Sequence, residues 1–308
     1  MSIPLVVALF LSGAAAEGVY NDAFWMRWGD GKAEVDTYRL KQDRYGEARD
    51  GVVVAIFVTE PWSARSLVKD DAALGRDRLP VLKVHTLSTF QTGIYDYHMT
   101  TSAFVNLQPL NALAAGGTIK VSFSSQEWCG QVFHEITDDG RSASEVVRSY
   151  FAGESATRAL LREPGPVLVE DAILLWARGL AGPPLPMTTS TVRFQSSLQR
   201  ARLLHKPVVH EDVKVSRMAS GAEVVVAAGT FTAERYRVVT SDRTIDVVVE
   251  RGGAGRVLKL ETRSSGGSPE VALELVKSDR LPYWQLHSKA DDTARAQLGL
   301  SPIPLLKD

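Results

Sequence analysis

Between Thr118 and Ser124 the chain alternates, with Ile119, Val121 and Phe123 on one side of an extended backbone and Lys120, Ser122 and Ser124 on the other. A period of two with that contrast predicts a half-buried strand. The same reading predicts strands over residues 32–40, 52–59, 81–90 and 92–104. Val52 to Val58 is apolar throughout and rich in β-branched residues, which suits a strand covered on both faces. Beyond Met187 short apolar-polar runs recur at residues 191–194, 208–216, 223–228, 231–240, 244–250, 257–262, 271–276 and 283–287. Turn material such as Gly252-Gly253 and Gly266-Gly267 separates them. This is the pattern of an antiparallel meander.

Helical patterns are few. Ser142 and Glu145 match a capping box, and Val146, Val147, Tyr150 and Phe151 supply an apolar face, so a helix is expected near residues 142–151. A second is expected over residues 169–180, opening on Glu170 and Asp171, where a helix dipole favours negative charge. Two proline-rich breaks, at residues 164–166 and 182–186, flank it. The expected fold is therefore mainly β: two curved antiparallel sheets, half-barrel or sandwich-like, with two short helices. Residues 17–186 are expected to form an N-terminal domain and residues 187–308 a C-terminal meander.

The first sixteen residues read differently. Ile3 to Leu11 is uncharged and apolar, and Ala14-Ala15-Ala16 follows it, the pattern of a secretory signal peptide with an A-x-A site. Nine residues span about 14 Å as a helix, too little for a hydrocarbon core of about 30 Å. A soluble chain in the periplasm or secreted is expected, with no transmembrane anchor after cleavage. Over the 308 residues, 35 Lys and Arg balance 36 Asp and Glu. That balance offers no basic field for nucleic acid. Cys129 is the only cysteine, so no intrachain disulfide can form.

Candidate chemistry is sparse. Cys129 has Glu127 and His134 near it in sequence, and a thiolate nucleophile needs such a base or a positive neighbour. In a strand positions 129 and 134 face opposite ways, so a small buried thiol is the competing reading. His205, His210, Glu211 and Asp212 match no zinc spacing, and Pro207 forbids a helical His pair. No metal or cofactor is expected. Tyr95, Tyr97, Trp128 and Trp284 are candidates for an aromatic binding surface, against the competing reading of core packing. Phosphate-loop, dinucleotide-binding, nucleophile-elbow and zinc-protease motifs are absent from the sequence.

Residues 24–176 carry a resemblance. Phe24-Trp25, Asp30-Gly31-Lys32-Ala33-Glu34, Arg44-Tyr45-Gly46-Glu47, Thr92-Gly93-Ile94-Tyr95-Asp96-Tyr97 and, most specifically, Gln126-Glu127-Trp128-Cys129-Gly130 resemble an uncharacterised family of exported bacterial proteins. Its members often bear the label "septum formation inhibitor Maf". The Ser-Pro-Arg-Arg motif of the true Maf pyrophosphatases is absent, so the resemblance implies no nucleotide hydrolysis and supplies no catalytic residue. Many relatives look like lipoproteins, and Ala14 stands where those carry the lipidated cysteine. The C-terminal meander is distantly similar to the curved sheets of periplasmic lipoprotein carriers. The expected function is that of a non-enzymatic envelope protein, binding a lipid or other apolar or amphipathic ligand, or an envelope protein partner, on a curved sheet. The alternatives are a thiol-dependent hydrolase using Cys129 and a structural scaffold for envelope assembly.

Overall fold

The computed structural model describes residues 18–301. The expected signal segment lies outside the described residues. In chain order the strands begin with β1 (Ala33–Arg44), β2 (Glu47–Ser63), β3 (Val68–Lys69), β4 (Arg78–Thr92) and β5 (Tyr95–Asn106). They continue with β6 (Thr118–Glu127), β7 (Gly130–Asp138), β8 (Ala143–Ser149), β9 (Ala156–Leu160) and β10 (Val167–Val169). The remaining strands are β11 (Thr189–Gln195), β12 (His210–Val226), β13 (Gly229–Val239), β14 (Arg243–Glu250), β15 (Val257–Ser264) and β16 (Pro269–Leu281). The helices are short: α1 (Asp22–Trp28), α2 (Ile173–Trp176), α3 (Leu198–Leu204) and α4 (Ala294–Gln297). No helix among the described residues is long and apolar enough to cross a membrane.

The fold is mainly β, as the alternation implies. Its strands form one sheet rather than two. The order runs β10 to β16, then β1, β2 and β4 to β9, with β3 attached to β2. Every pairing on this path is antiparallel except β10 with β11. The two sequence halves join where β1 pairs with β16, from Ala33 opposite Leu281 to Gln42 opposite Val271. One apolar cluster draws on both halves, with Tyr38, Phe57, Leu82, Phe123, Phe194, Val247 and Leu275 all buried. The boundary expected at residue 186 therefore runs through a shared core.

A sheet curved round itself has an inner face to fill. Here α2 fills it. Ile173, Leu174, Leu175 and Trp176 are all buried, so this helix is apolar on every side, as a helix enclosed by a sheet must be. The Trp176 indole N–H donates to the Pro183 carbonyl at 3.0 Å, and its ring meets Tyr236 edge-on at 5.7 Å. Two smaller clusters lie apart from this core: Trp62, Leu79, Val81, Phe104 and Ile119 form one, and Ala33, Val35 and Val58, with Leu281 and Tyr283, the other.

Three expected elements take another form. Residues 142–151 hold no helix: Ala143–Ser149 is β8, paired with β7 and β9. Val146 and Val147 suit a strand, and Glu145 turns inward to His134, a tertiary pairing that overrides the local capping pattern. The helix expected over residues 169–180 shrinks to a 3-10 turn, Glu170–Ala172, and the four residues of α2. Residues 283–287 contain a 3-10 turn, Tyr283–Gln285, rather than a strand. Pro282 lacks the N–H that would continue the ladder past Leu281.

Candidate functional site

Successive hairpins bring the turns after β1, β4, β6 and β8 to one end of the strands. Tyr45, Ile94, Trp128 and Tyr150 stand exposed in or beside those turns. The Tyr45 and Tyr97 hydroxyls are 2.9 Å apart, and Tyr95 donates its hydroxyl to Tyr45 at 3.3 Å. The Tyr95 and Trp128 rings are 6.4 Å apart. Arg44 places its guanidinium over the Tyr45 ring at 4.4 Å, and its Nε donates to the Tyr97 hydroxyl at 3.2 Å. Hydrogen bonds from Tyr95 and Tyr97 hold the Tyr45 phenol below its ordinary range, whereas burial pushes the Tyr97 phenol up. Tyr97 is buried and stacked on Phe90 at 4.8 Å, so it supports this row rather than presenting a surface.

An ion-pair network lies beneath the row. Glu127, at the end of β6, meets Arg202 of α3 at 2.7 Å, their side chains 5% and 3% exposed. Ser125 also donates to Glu127, at 2.6 Å. The Arg202 guanidinium lies over Phe151 at 4.5 Å. His205, which ends α3 in the left-handed region at φ 53°, holds Glu154 at 2.6 Å through Nδ1. Glu154 accepts in turn from Ser149 at 2.6 Å. The N-terminus of α3 is fixed from below, where Glu170 accepts the Ser197 N–H at 2.7 Å and Asp171 the Leu198 N–H at 3.0 Å. The acidic pair expected to open its own helix thus caps another.

The hydrolase candidates do not form one constellation. Cys129 is exposed in the two-residue turn between β6 and β7. His134 is buried and bonds Glu145 at 2.7 Å, where Arg158 also binds. Burial raises the Glu145 carboxyl, but His134 and Arg158 outweigh it and bring its pKa down to about 2. Glu127 is committed to Arg202. Trp284 lies beyond the far end of β16, next to Tyr283 at 5.4 Å, and away from Tyr95, Tyr97 and Trp128. His210 contacts Gln195, Glu211 accepts from Ser241, and Asp212 faces Arg193, so those four residues gather at no common point. Arg202 and Glu154 are absent from the sequence-derived candidates, and His205 stands among them only as a possible metal ligand. The signal available was Ser197 before Leu198, Ala201 and Leu204, a capped short helix inside a stretch read as all β.

At the opposite end of the strands, α1, the segment after α2 and the β14–β15 turn enclose a cleft of about 460 Å3. Phe24, Leu180, Leu185 and Val249 form its apolar wall, and Asn21, Arg27, Arg178, Glu234, Glu250 and Arg251 its polar one. Arg178 is buried, pairs with Glu34 at 2.7 Å and lies over the Trp28 ring at 5.2 Å. Arg27 binds the other Glu34 oxygen. Deeper in, burial and then the neighbouring Glu34 raise the Asp36 carboxyl to about 7, against Arg178, Ser278 and Tyr38. The Gly252–Gly255 turn does not present an open anion cradle. It wraps the Glu250 carboxylate, which accepts the Arg256 N–H and pairs with the Arg256 guanidinium at 2.9 Å.

No family model and no curated relative matches the chain. Among solved structures it is similar to a beta-barrel-like protein of the domain of unknown function DUF1849 from Brucella abortus. That likeness has 10% identity and a TM-score of 0.44, over 80% of this chain and 97% of the other. It is also similar to a Bacteroides fragilis protein named "putative exported protein with YmcC-like fold". There the identity is 9% and the TM-score 0.21, over 81% of this chain and 95% of the other.

Proposed function

We propose that this chain is an exported, non-enzymatic envelope protein that binds an amphipathic ligand in the cleft between α1 and the β14–β15 turn. The observation that carries the reading is the two-sided lining of that cleft. Phe24, Leu180, Leu185 and Val249 offer an apolar wall against a charged one, in which Asn21, Arg27, Arg178 and Arg251 stand with the Glu234 and Glu250 carboxylates. Its volume falls within the range of about 300–1,000 Å3 common to small-molecule sites. The inner face of the sheet is less suited to this task, since α2 and the surrounding aromatics already pack it. Export rests on the apolar run at residues 3–11 and the alanines that follow. The non-enzymatic reading rests on the separate commitments of Glu127 and His134.

The test is a titration of the folded protein with an environment-sensitive fatty-acid probe. Saturable binding at micromolar protein is expected, and Leu185→Glu, which places a charge on the apolar wall, is expected to abolish it. Absence of saturation in the native chain, or unchanged binding in the variant, overturns the assignment.

A further inference from the structure

We propose that a second site, at the other end of the strands, binds a neutral oligosaccharide. It is a groove of about 620 Å3 on the outer face of β6, β7 and β8. Gln126 and Gln131 sit directly opposite each other across the β6–β7 ladder, next to the turn that carries Trp128. Tyr150 and Phe133 supply ring surface along the same groove, and Tyr150 is 65% exposed.

The position of Tyr150 is built. Gly130 has φ 154°, and a Cβ at that position would lie 2.5 Å from the Tyr150 ring. The absent side chain is what lets the ring lie against the turn. The Tyr150 N–H donates to the Gln131 carbonyl at 3.1 Å, which fixes the chain on which the ring is carried. The buried Glu127–Arg202 pair anchors the strand end beneath. A ring held this way offers contact area at little entropic cost, since a tyrosine has only two side-chain torsions to lose.

The charge of the groove selects the ligand. Among the described residues its one cation is Arg148, which directs Nη1 to the Val147 and Ala156 carbonyls and the Thr157 hydroxyl at 2.9 to 3.1 Å. No carboxylate among the described residues lines it. Gln126 and Gln131 are both exposed, and their side-chain amides offer four N–H donors and two carbonyl oxygens. A phosphate-bearing lipid or nucleic acid needs free cations. A sugar chain needs aromatic faces for its C–H surfaces and neutral donors and acceptors for its hydroxyl or acetamido groups. The groove offers the second set.

The experiment titrates the full chain with the β-1,4-linked tetramer of N-acetylglucosamine, and separately with cellotetraose, read by calorimetry and tryptophan fluorescence. Saturable binding to either is expected. Tyr150→Ala and Gln131→Ala should each weaken it at least about tenfold, and Tyr150→Phe should hold it within about threefold. Circular dichroism of each variant separates a lost site from a lost fold. No saturation with either sugar up to about 10 mM overturns the proposal, as does unchanged binding in Tyr150→Ala. Binding to vesicles of phosphatidylglycerol and phosphatidylcholine without sugar binding also overturns it. Leu185→Glu should leave sugar binding unaltered, which keeps this site distinguishable from the cleft.

Discussion

Replacing Arg202 by alanine isolates the anchor beneath the aromatic row. The Glu127 carboxylate, 5% exposed, then loses its ionic partner and keeps only the Ser125 hydroxyl. Breaking a buried ion pair by removing one member costs about 3–5 kcal/mol, because the other charge stays buried without compensation. The contact over Phe151 at 4.5 Å is lost as well, worth about 0.5–2 kcal/mol for a cation over an aromatic face. A chain of this size has an unfolding entropy of about 0.6 kcal/mol/K near its midpoint. The ion-pair loss alone therefore lowers the thermal midpoint by about 5–8 °C. Differential scanning calorimetry measures it directly. The double variant Glu127→Leu with Arg202→Met removes both charges and should recover most of the loss, since apolar replacement of a buried pair is often neutral or better. A midpoint within about 1 °C of the parent for Arg202→Ala refutes the reasoning. So does a double variant as unstable as the two single changes added together.

Other consequences are accessible to the same instruments. Trp176→Ala empties the centre of the sheet and should cost about 3–5 kcal/mol in urea unfolding; a loss below about 1 kcal/mol would mean that α2 does not fill the interior. Gly130→Ala forces a side chain onto the Tyr150 ring at an unfavourable backbone angle and should destabilise by about 1–3 kcal/mol. Cys129 is exposed, so it should react with a thiol reagent in the folded state, and Cys129→Ser should leave stability within about 0.5 kcal/mol and ligand binding unaltered. Burial raises both Asp36 and Asp171 to about 7, so between the unfolded carboxyl range and pH 7 the native state holds more protons than the unfolded one. Their contribution favours the fold at the acid end and fades as pH rises through 7. Asp36→Asn should flatten the fall in thermal midpoint between pH 5 and pH 8, and an unchanged profile would rule out that carboxyl as a contributor.

Strand pattern was legible wherever one face is buried. Ile119, Val121 and Phe123 are buried while Lys120, Ser122 and Ser124 are not, as their alternation implied. What could not be read locally was partnership. Glu145 looks like the end of a capping box, yet it bonds His134 across two strands. Glu170 and Asp171 look like the first turn of their own helix, yet they cap α3. An interval of acidic and hydroxyl residues says that free N–H groups will be satisfied without saying whose. The resemblance segments around Tyr45, Tyr95 and Trp128 are far apart in sequence and converge only because hairpins of matching length return their turns to one end. The Glu127–Arg202 pair has no sequence signature, since its members lie in elements that meet only when the sheet has curved.

The seam between β1 and β16 has a consequence for how the chain is made. β1 finds one neighbour at once in β2, but its other neighbour is the last strand of the sheet. Closing a loop of that length costs about 5 kcal/mol of chain entropy beyond a constant, and such distant pairings slow folding. Until Leu281 is available, Ala33 and the residues after it keep an unpaired edge, open to wrong partners. A chain emerging from its N-terminus, whether from a ribosome or through a membrane pore, thus cannot complete its core early. Completion waits on the final strand, and a chain cut short before residue 269 would carry an unfinished edge as its most adhesive feature.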